Sequence, residues 1–240
     1  QQIRDIDVRD LLGRRTIDLD VAELSRMLKD QRILVTGAAG SIGRELCRQI
    51  SKFEPSQLIM FDVAESPLFF AQGEVRSLLE NTHVVVGDVR DEGVLRSIFA
   101  KYRPHIVFHA AAYKHVSMME KNPFSAVDVN IRGTKIVSDI SAEFGVRTFV
   151  MISTDKAVNP TNVMGASKRC AEIYVHNLNH KASTNFVTVR FGNVLDSVGS
   201  VIPIFRNQIK DGGPVTVTDA EVTRYFMTIP EASQLVLQAG

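Results

Sequence analysis

Charge of one sign, cysteine and long apolar runs are all scarce in this sequence, and each scarcity removes a class of function. Basic and acidic side chains number 28 and 27, a net of +1. With no basic cluster either, there is no electrostatic reason to propose a nucleic-acid partner. The two cysteines, Cys47 and Cys170, fall in helically patterned segments without CxxC spacing. They read as buried, reduced thiols of a cytosolic compartment, implying neither a disulfide framework nor zinc. The six histidines show no metal spacing, and His109 reads as a packed strand residue. No apolar run approaches the roughly 20 residues that span a bilayer, and no signal peptide is visible. The chain starts at Gln1, and Ser233–Gly240 reads as the middle of a helix, so a fragment of a longer protein is expected.

What is present is apolar residues at 45% of 240, enough for one large core or a core plus a small lobe. After a polar lead-in, residues 1–30, in which Asp20 can cap a short helix through Leu28, apolar runs alternate with amphipathic stretches. The expected strands are Arg32–Thr36, Leu58–Phe61, His83–Val86, Ile106–His109, Thr148–Ile152 and Phe186–Arg190. The expected helices are Ser41–Phe53, one opened by Ser66-Pro67, then Glu92–Tyr102, Pro123–Phe144 and Val163–His180. Strands apolar on both faces, each followed by a helix, imply an α/β fold: a Rossmann-type doubly wound parallel sheet over residues 31–190. After Asn193 the rhythm changes. A helix near Ile202–Lys210, short strands at Val215–Thr218 and Arg224–Thr228, and a terminal helix predict a small, truncated C-terminal substrate lobe over 191–240.

Directly after the first strand comes Thr36-Gly37-Ala38-Ala39-Gly40-Ser41-Ile42-Gly43, with glycines spaced GxxGxxG. Glycine permits the tight turn, close approach to a pyrophosphate and close helix–strand packing, and the helix N-terminus offers unpaired N–H groups to the anion. The alternative is an ordinary glycine-rich turn, against which the strand before and the helix after both count. Asp62, 19 positions after Gly43, can accept from both adenosine ribose hydroxyls and would repel a 2′-phosphate, favouring NAD over NADP; otherwise it caps the next helix. Asp88 and Val89 close the third strand, where a carboxylate could reach the adenine amino group. Ala110, Ala111 and Ala112 follow the fourth, where small side chains let a cofactor lie against the backbone. All stand at carboxyl ends of strands, where open parallel sheets bind ligands.

After the fifth strand come Ser153-Thr154-Asp155-Lys156, the turn Asn159-Pro160 and Met164-Gly165-Ala166-Ser167-Lys168. Alone, an Asp-Lys pair reads as a surface loop. Together with the glycine cradle, His109–His115 and Asn130, however, this pattern resembles the extended short-chain dehydrogenase/reductases. The runs STDKAVNPTNVMGASK, RFGNVL, GGPVTVTD and TRYFMTIPEA are similar to the membrane-anchored, CapD-like bacterial UDP-N-acetylglucosamine 4,6-dehydratases of polysaccharide and glycan biosynthesis. The likeness covers essentially the whole chain, including Asp10–Arg14. It places the parent protein on the cytoplasmic face of the inner membrane, anchored through segments that this chain lacks.

The resemblance implies an NAD-dependent internal redox reaction: oxidation at sugar C4, loss of the C5 proton and the C6 hydroxyl, and return of hydride to C6. Lys156 is then the base at C5, which requires it to be neutral, and Asp155 the acid at C6. Thr154 bonds the C4 oxygen, and Lys168 holds the nicotinamide ribose. Met164 replaces the tyrosine of the superfamily's YxxxK pattern, and a thioether takes no proton; its plainer role is to fill core. The UDP-sugar substrate would be held by Lys114, Asn193, Gly199, Ser200 and Val201, by Arg206 and Arg224 at phosphate, and by Pro214, Val215, Thr216 and Val217 around uracil. Either arginine could equally be a solvated surface residue. No metal is implied, and the helices of 123–144 and 163–180 would form a four-helix homodimer interface. Competing readings are a nucleotide-sugar C4 epimerase, which needs no acid/base pair at C5 and C6, and a catalytically silent NAD-binding scaffold, for which Met164 is the best argument.

Overall fold

A computed structural model describes residues 21–197, 199–217, 219 and 221–240. The expected cap at Asp20 and the Asp10–Arg14 match lie outside the described residues. Helix α1 (Val21–Leu28) precedes β1 (Arg32–Thr36), after which strands and helices alternate: α2 (Ser41–Ile50), β2 (Gln57–Asp62), α3 (Glu65–Arg76), β3 (Thr82–Val86), α4 (Glu92–Tyr102) and β4 (Ile106–His109). Then follow α5 (Val116–Lys121), α6 (Pro123–Ala126), a π-helical turn over Val127–Gly133, α7 (Thr134–Glu143), β5 (Thr148–Thr154), α8 (Val163–Leu178) and β6 (Asn185–Phe191). The remaining elements are β7 (Asn193–Val194), α9 (Val201–Lys210), β8 (Phe226–Met227) and α10 (Ile229–Gln238).

Six strands form one parallel sheet in the order β3-β2-β1-β4-β5-β6. This is the doubly wound arrangement that the alternating apolar runs predict. Its order reverses between β1 and β4, so the chain leaves these neighbours in opposite directions and opens a crevice beyond their carboxyl ends. Two apolar layers cover the sheet. Leu46, Cys47, Ile50, Leu68 and Val75 bury one face, and Leu95, Phe99, Val137, Ile140 and Val175 bury the other. Although it follows the exposed segment around α9, α10 returns to the sheet, placing Val236 and Leu237 in the first layer.

Four expectations need correction. The helix expected over 123–144 is broken, because Val127–Gly133 widens into a π turn. Cys170 is exposed: α8 buries the stripe Met164, Ser167, Lys168, Ala171 and Val175, which turns residue 170 outward with exposed Ile173. No strand forms at 215–217, where the described chain is irregular, and Thr218 lies outside the described residues. The strand expected over 224–228 shortens to Phe226–Met227, which pairs in parallel with Asn193–Val194.

Candidate active site

The glycine-rich turn after β1 is fixed by contacts that leave no room for a side chain. Gly37 turns with φ +70°, and an added Cβ would lie 2.5 Å from the Ala111 nitrogen. A Cβ on Gly43 would strike the Gly37 carbonyl oxygen and lie 2.9 Å from the Ala38 Cα. The glycines therefore press the start of α2, with Ser41 and Ile42, against the ends of β1 and β4. Gly40 provides no side-chain cap, and the first turn of α2 carries no carboxylate, which suits an incoming anion. Asp62 braces the loop, accepting from the Ala39 and Ala64 amides at 2.9 Å each. A carboxylate has about four acceptor positions, so two backbone bonds leave capacity for ribose hydroxyls.

Asp88 is differently occupied. It forms a bidentate pair with Arg90, which also reaches Asp128 at 2.7 Å. The Arg90 bonds hold the Asp88 carboxyl below its ordinary range against the desolvation that would raise it. Val89 is buried in the second core layer, against Gly133.

Beneath the crevice runs a buried chain of hydrogen bonds. Thr134 donates to the Asn130 carbonyl at 2.7 Å, so it must accept from His109 Nε2–H at 3.0 Å, and Thr36 then donates to His109 Nδ1 at 2.7 Å. Burial, aided by the charge of Lys168, pushes the His109 pKa down to about 3 and keeps the ring neutral. Asn130, inside the π turn, clamps Tyr113 from both sides, accepting from its N–H at 2.8 Å and donating to its carbonyl at 3.0 Å. It also donates to Ser167 on α8. The backbone of the Ala110–Lys114 segment is thereby anchored to both helices.

At the end of β5, four of the expected residues meet. Thr154 Oγ1 donates to Asp155 Oδ1 at 2.9 Å and accepts the Lys156 amide at 3.3 Å. Lys156 Nζ donates to Asp155 Oδ1 at 3.0 Å and, across 37 residues, to Asn193 Oδ1 at 2.8 Å. A lysine, a carboxylate and two polar side chains thus form one partly exposed cluster. Lys168 lies behind it on α8, only 4% exposed, and burial lowers its pKa to about 8 despite the opposing influence of Glu172. Met164 is 3% exposed and packs with Met119 and Ala126, the surroundings of a space-filling residue.

Glu172 had no place in the sequence reading. Its buried carboxylate accepts from Ser153 at 2.5 Å, from Arg190 Nε at 2.8 Å and from Arg169 at 3.2 Å. Ser153 and Arg190 are register partners on β5 and β6, so Glu172 bolts α8 to the strands that lead into the cluster. Its spacing of four from Lys168 was the available signal. The Asn193–Lys156 contact had none.

The remaining expected residues are less gathered. Lys114, lowered in pKa by burial, points to Ser197 at 3.4 Å. Gly199 turns tightly over the His115 ring, and Ser200 Oγ is buried without a protein partner, beside Val201 at the start of α9. Arg206 pairs with Asp196 at 3.1 Å, and Arg224 donates to the Thr223 carbonyl. Pro214, Val215, Thr216 and Val217 are exposed, Val217 by 63%. Thr216 is tied to Gln208 of α9 in both directions. Among the described residues no acidic, histidine or cysteine cluster could hold a metal, and no helix is long and apolar enough to cross a membrane.

The chain is similar to several known proteins. A family model described as polysaccharide biosynthesis protein matches residues 33–240. The probable polysaccharide biosynthesis protein EpsC of Bacillus subtilis is 53% identical over all of this chain, which spans 40% of that protein. A UDP-N-acetylglucosamine 4,6-dehydratase (inverting) of Campylobacter jejuni is 33% identical over 88% of the chain and 64% of its own length. A UDP-glucose 4-epimerase of Rickettsia rickettsii is 36% identical over 89% and 63%. Among solved structures, Pen from Bacillus thuringiensis superposes with a TM-score of 0.84 at 37% identity, covering 88% of this chain and 67% of its own. The same fold is found in DesIV of Streptomyces venezuelae, a dTDP-glucose 4,6-dehydratase solved with NAD bound (TM-score 0.79, 22% identity, 87% and 72%). The chain belongs to the polysaccharide biosynthesis protein family and shares its fold with solved nucleotide-sugar dehydratases and epimerases.

Proposed function

We propose that this chain carries the NAD-binding and catalytic residues of a UDP-N-acetylglucosamine 4,6-dehydratase. The observation that carries the reading is the cluster of Thr154, Asp155, Lys156 and Asn193 at the carboxyl end of β5. The cradle at Gly37, Gly40 and Gly43, the partly committed carboxylate of Asp62, and buried Lys168 fit a dinucleotide laid across the crevice, and Asp62 favours NAD over NADP. Bound NAD would supply the acceptor for hydride from C4 and return it at C6.

The chain's own residues handle the protons. Thr154 holds the C4 oxygen. Once C4 is a ketone, the C5 proton is acidified and passes to the Lys156 amine. Asp155 protonates the C6 hydroxyl as it leaves as water. When C6 is reduced, the Lys156 ammonium returns a proton to C5, and the proton lost from the C4 hydroxyl balances the one carried off in the water. Lys168 orients the nicotinamide ribose.

A C4 epimerase is the second reading, favoured by the Rickettsia relative. It gives no use to an acid and a base at C5 and C6. Incubation with UDP-N-acetylglucosamine and NAD, followed by proton NMR, separates the two. The dehydratase gives a 4-keto-6-deoxy sugar with a new methyl signal, whereas the galacto isomer would overturn this reading. The side chains of Phe124 (88% exposed), Val127 and Ile173 on the α6–α8 surface support the further proposal of a homodimer through that face.

A further inference from the structure

We infer that Asn193 is a positioning residue for Lys156, fixing the direction of the lysine lone pair and linking the nucleotide-sugar segment to proton removal at C5. This rests on the dehydratase reading above.

Lys156 Nζ has two acceptors, Asp155 Oδ1 at 3.0 Å and Asn193 Oδ1 at 2.8 Å. Asp155 is its neighbour on the same single turn, and one such contact leaves the four-carbon lysine stem free to swing. Asn193 restrains it from a different element. The Asn193 amide donates to the Tyr225 carbonyl at 2.9 Å, and β7 pairs with β8. Gly192 lies so close that a Cβ there would come within 2.6 Å of the same Tyr225 oxygen. The segment that carries Arg224 and Tyr225 therefore sets where the Asn193 side chain starts.

The chemistry of the two groups fixes their orientation. Lysine offers only donors, so the amide must turn Oδ1 toward it. The other end, Nδ2, is a donor of the kind that a phosphate or sugar oxygen accepts. A neutral lysine keeps two N–H bonds and one lone pair. With one N–H given to Asn193 and the other to Asp155, the lone pair has a single remaining direction. Along it the C5–H bond breaks: its proton joins Nζ, its electron pair forms the C5–C6 double bond, and the C6 oxygen leaves with the Asp155 proton as water.

The test compares wild type, Asn193→Ala and Asn193→Asp in D2O with NAD and UDP-N-acetylglucosamine, reading two steps at once. Single-turnover absorbance of reduced nicotinamide reports C4 oxidation, and NMR reports deuterium at C5. In Asn193→Ala, C5 incorporation should fall by about tenfold or more, the scale of a misplaced reacting group. C4 oxidation should continue, so reduced nicotinamide rises to a higher transient level than in wild type. Asn193→Asp keeps the shape and the contact but favours the charged lysine, so it should show the same split with the fold intact. Wild-type exchange at C5 in both variants, or C4 oxidation and C5 exchange falling in step, would overturn the inference. Absence of C5 exchange in wild type would instead overturn the dehydratase reading, and this inference with it.

Discussion

A side chain added at Gly43 would collide with the backbone of the preceding turn, whereas Val217 stands with most of its surface in solvent. The two positions typify two regions. In the dinucleotide half, β1, β2, β4 and β5 are buried almost throughout, and the crevice is braced by Asp62, the Thr36–His109–Thr134 chain and the Asn130 clamp. In the segment assigned to the nucleotide sugar, α9 buries none of its described residues, and 211–217 are all exposed. Packing and these hydrogen bonds together preorganise the first region. The second is anchored mainly where β7 meets β8. The proposed catalytic cluster lies on the seam, with Lys156 from the first region and Asn193 from the second.

The largest effects should come from that seam. Lys156→Ala and Asp155→Asn should each lower turnover by about 10² or more, the scale of a positioned proton-transfer group, and Lys156→Ala should also suppress C5 deuteration. Steady-state turnover and NMR read both. Near-normal product from Lys156→Ala would remove the assigned base.

Gly43→Ala comes next, as a test of the first region. It should destabilise the fold by about 1–3 kcal/mol, as overpacking does, and weaken NAD binding at least tenfold by calorimetry. Val217→Ala should change neither. Equal tolerance at both positions would break the comparison.

His109 sharpens it through pH. Its pKa falls from 6.5 to about 3 in the fold, so the unfolded chain binds the extra proton between those values. Stability from this residue is complete above pH 6.5 and is lost as the pH falls toward 3, by several kcal/mol at about 1.4 per unit. Urea unfolding of His109→Gln across that window should show a flatter acid dependence than wild type. An unchanged slope would mean that the ring is not held neutral. The smallest effect is expected for Met164→Leu, which keeps the volume among Met119 and Ala126 and should cost well under tenfold in turnover. A loss matching that of Lys156→Ala, with NAD affinity intact, would give the sulfur a chemical role.

The first region was also the legible one. Its strands announce themselves as apolar runs because both faces are covered, and the glycines lie where backbone meets backbone, a local requirement written in local sequence. Thr154, Asp155 and Lys156 were readable because they are contiguous. Asn193 was expected to hold substrate, but its bond to Lys156 depends on the pairing of β5 with β6 and of β7 with β8, which no short-range pattern encodes. The π turn at Val127–Gly133 hides within continuous helical periodicity, and Cys170 was misplaced because its exposure depends on which stripe of α8 faces the sheet. Asp88 was read by position alone, without weighing Arg90 two residues on as its partner.

The proposed dehydration requires that hydride move within one sugar. UDP-N-acetylglucosamine deuterated at C4 should yield a product with the deuterium in its C6 methyl group and no build-up of free reduced cofactor, read by NMR and absorbance. Deuterium still at C4, on a galacto-configured sugar, would contradict the account.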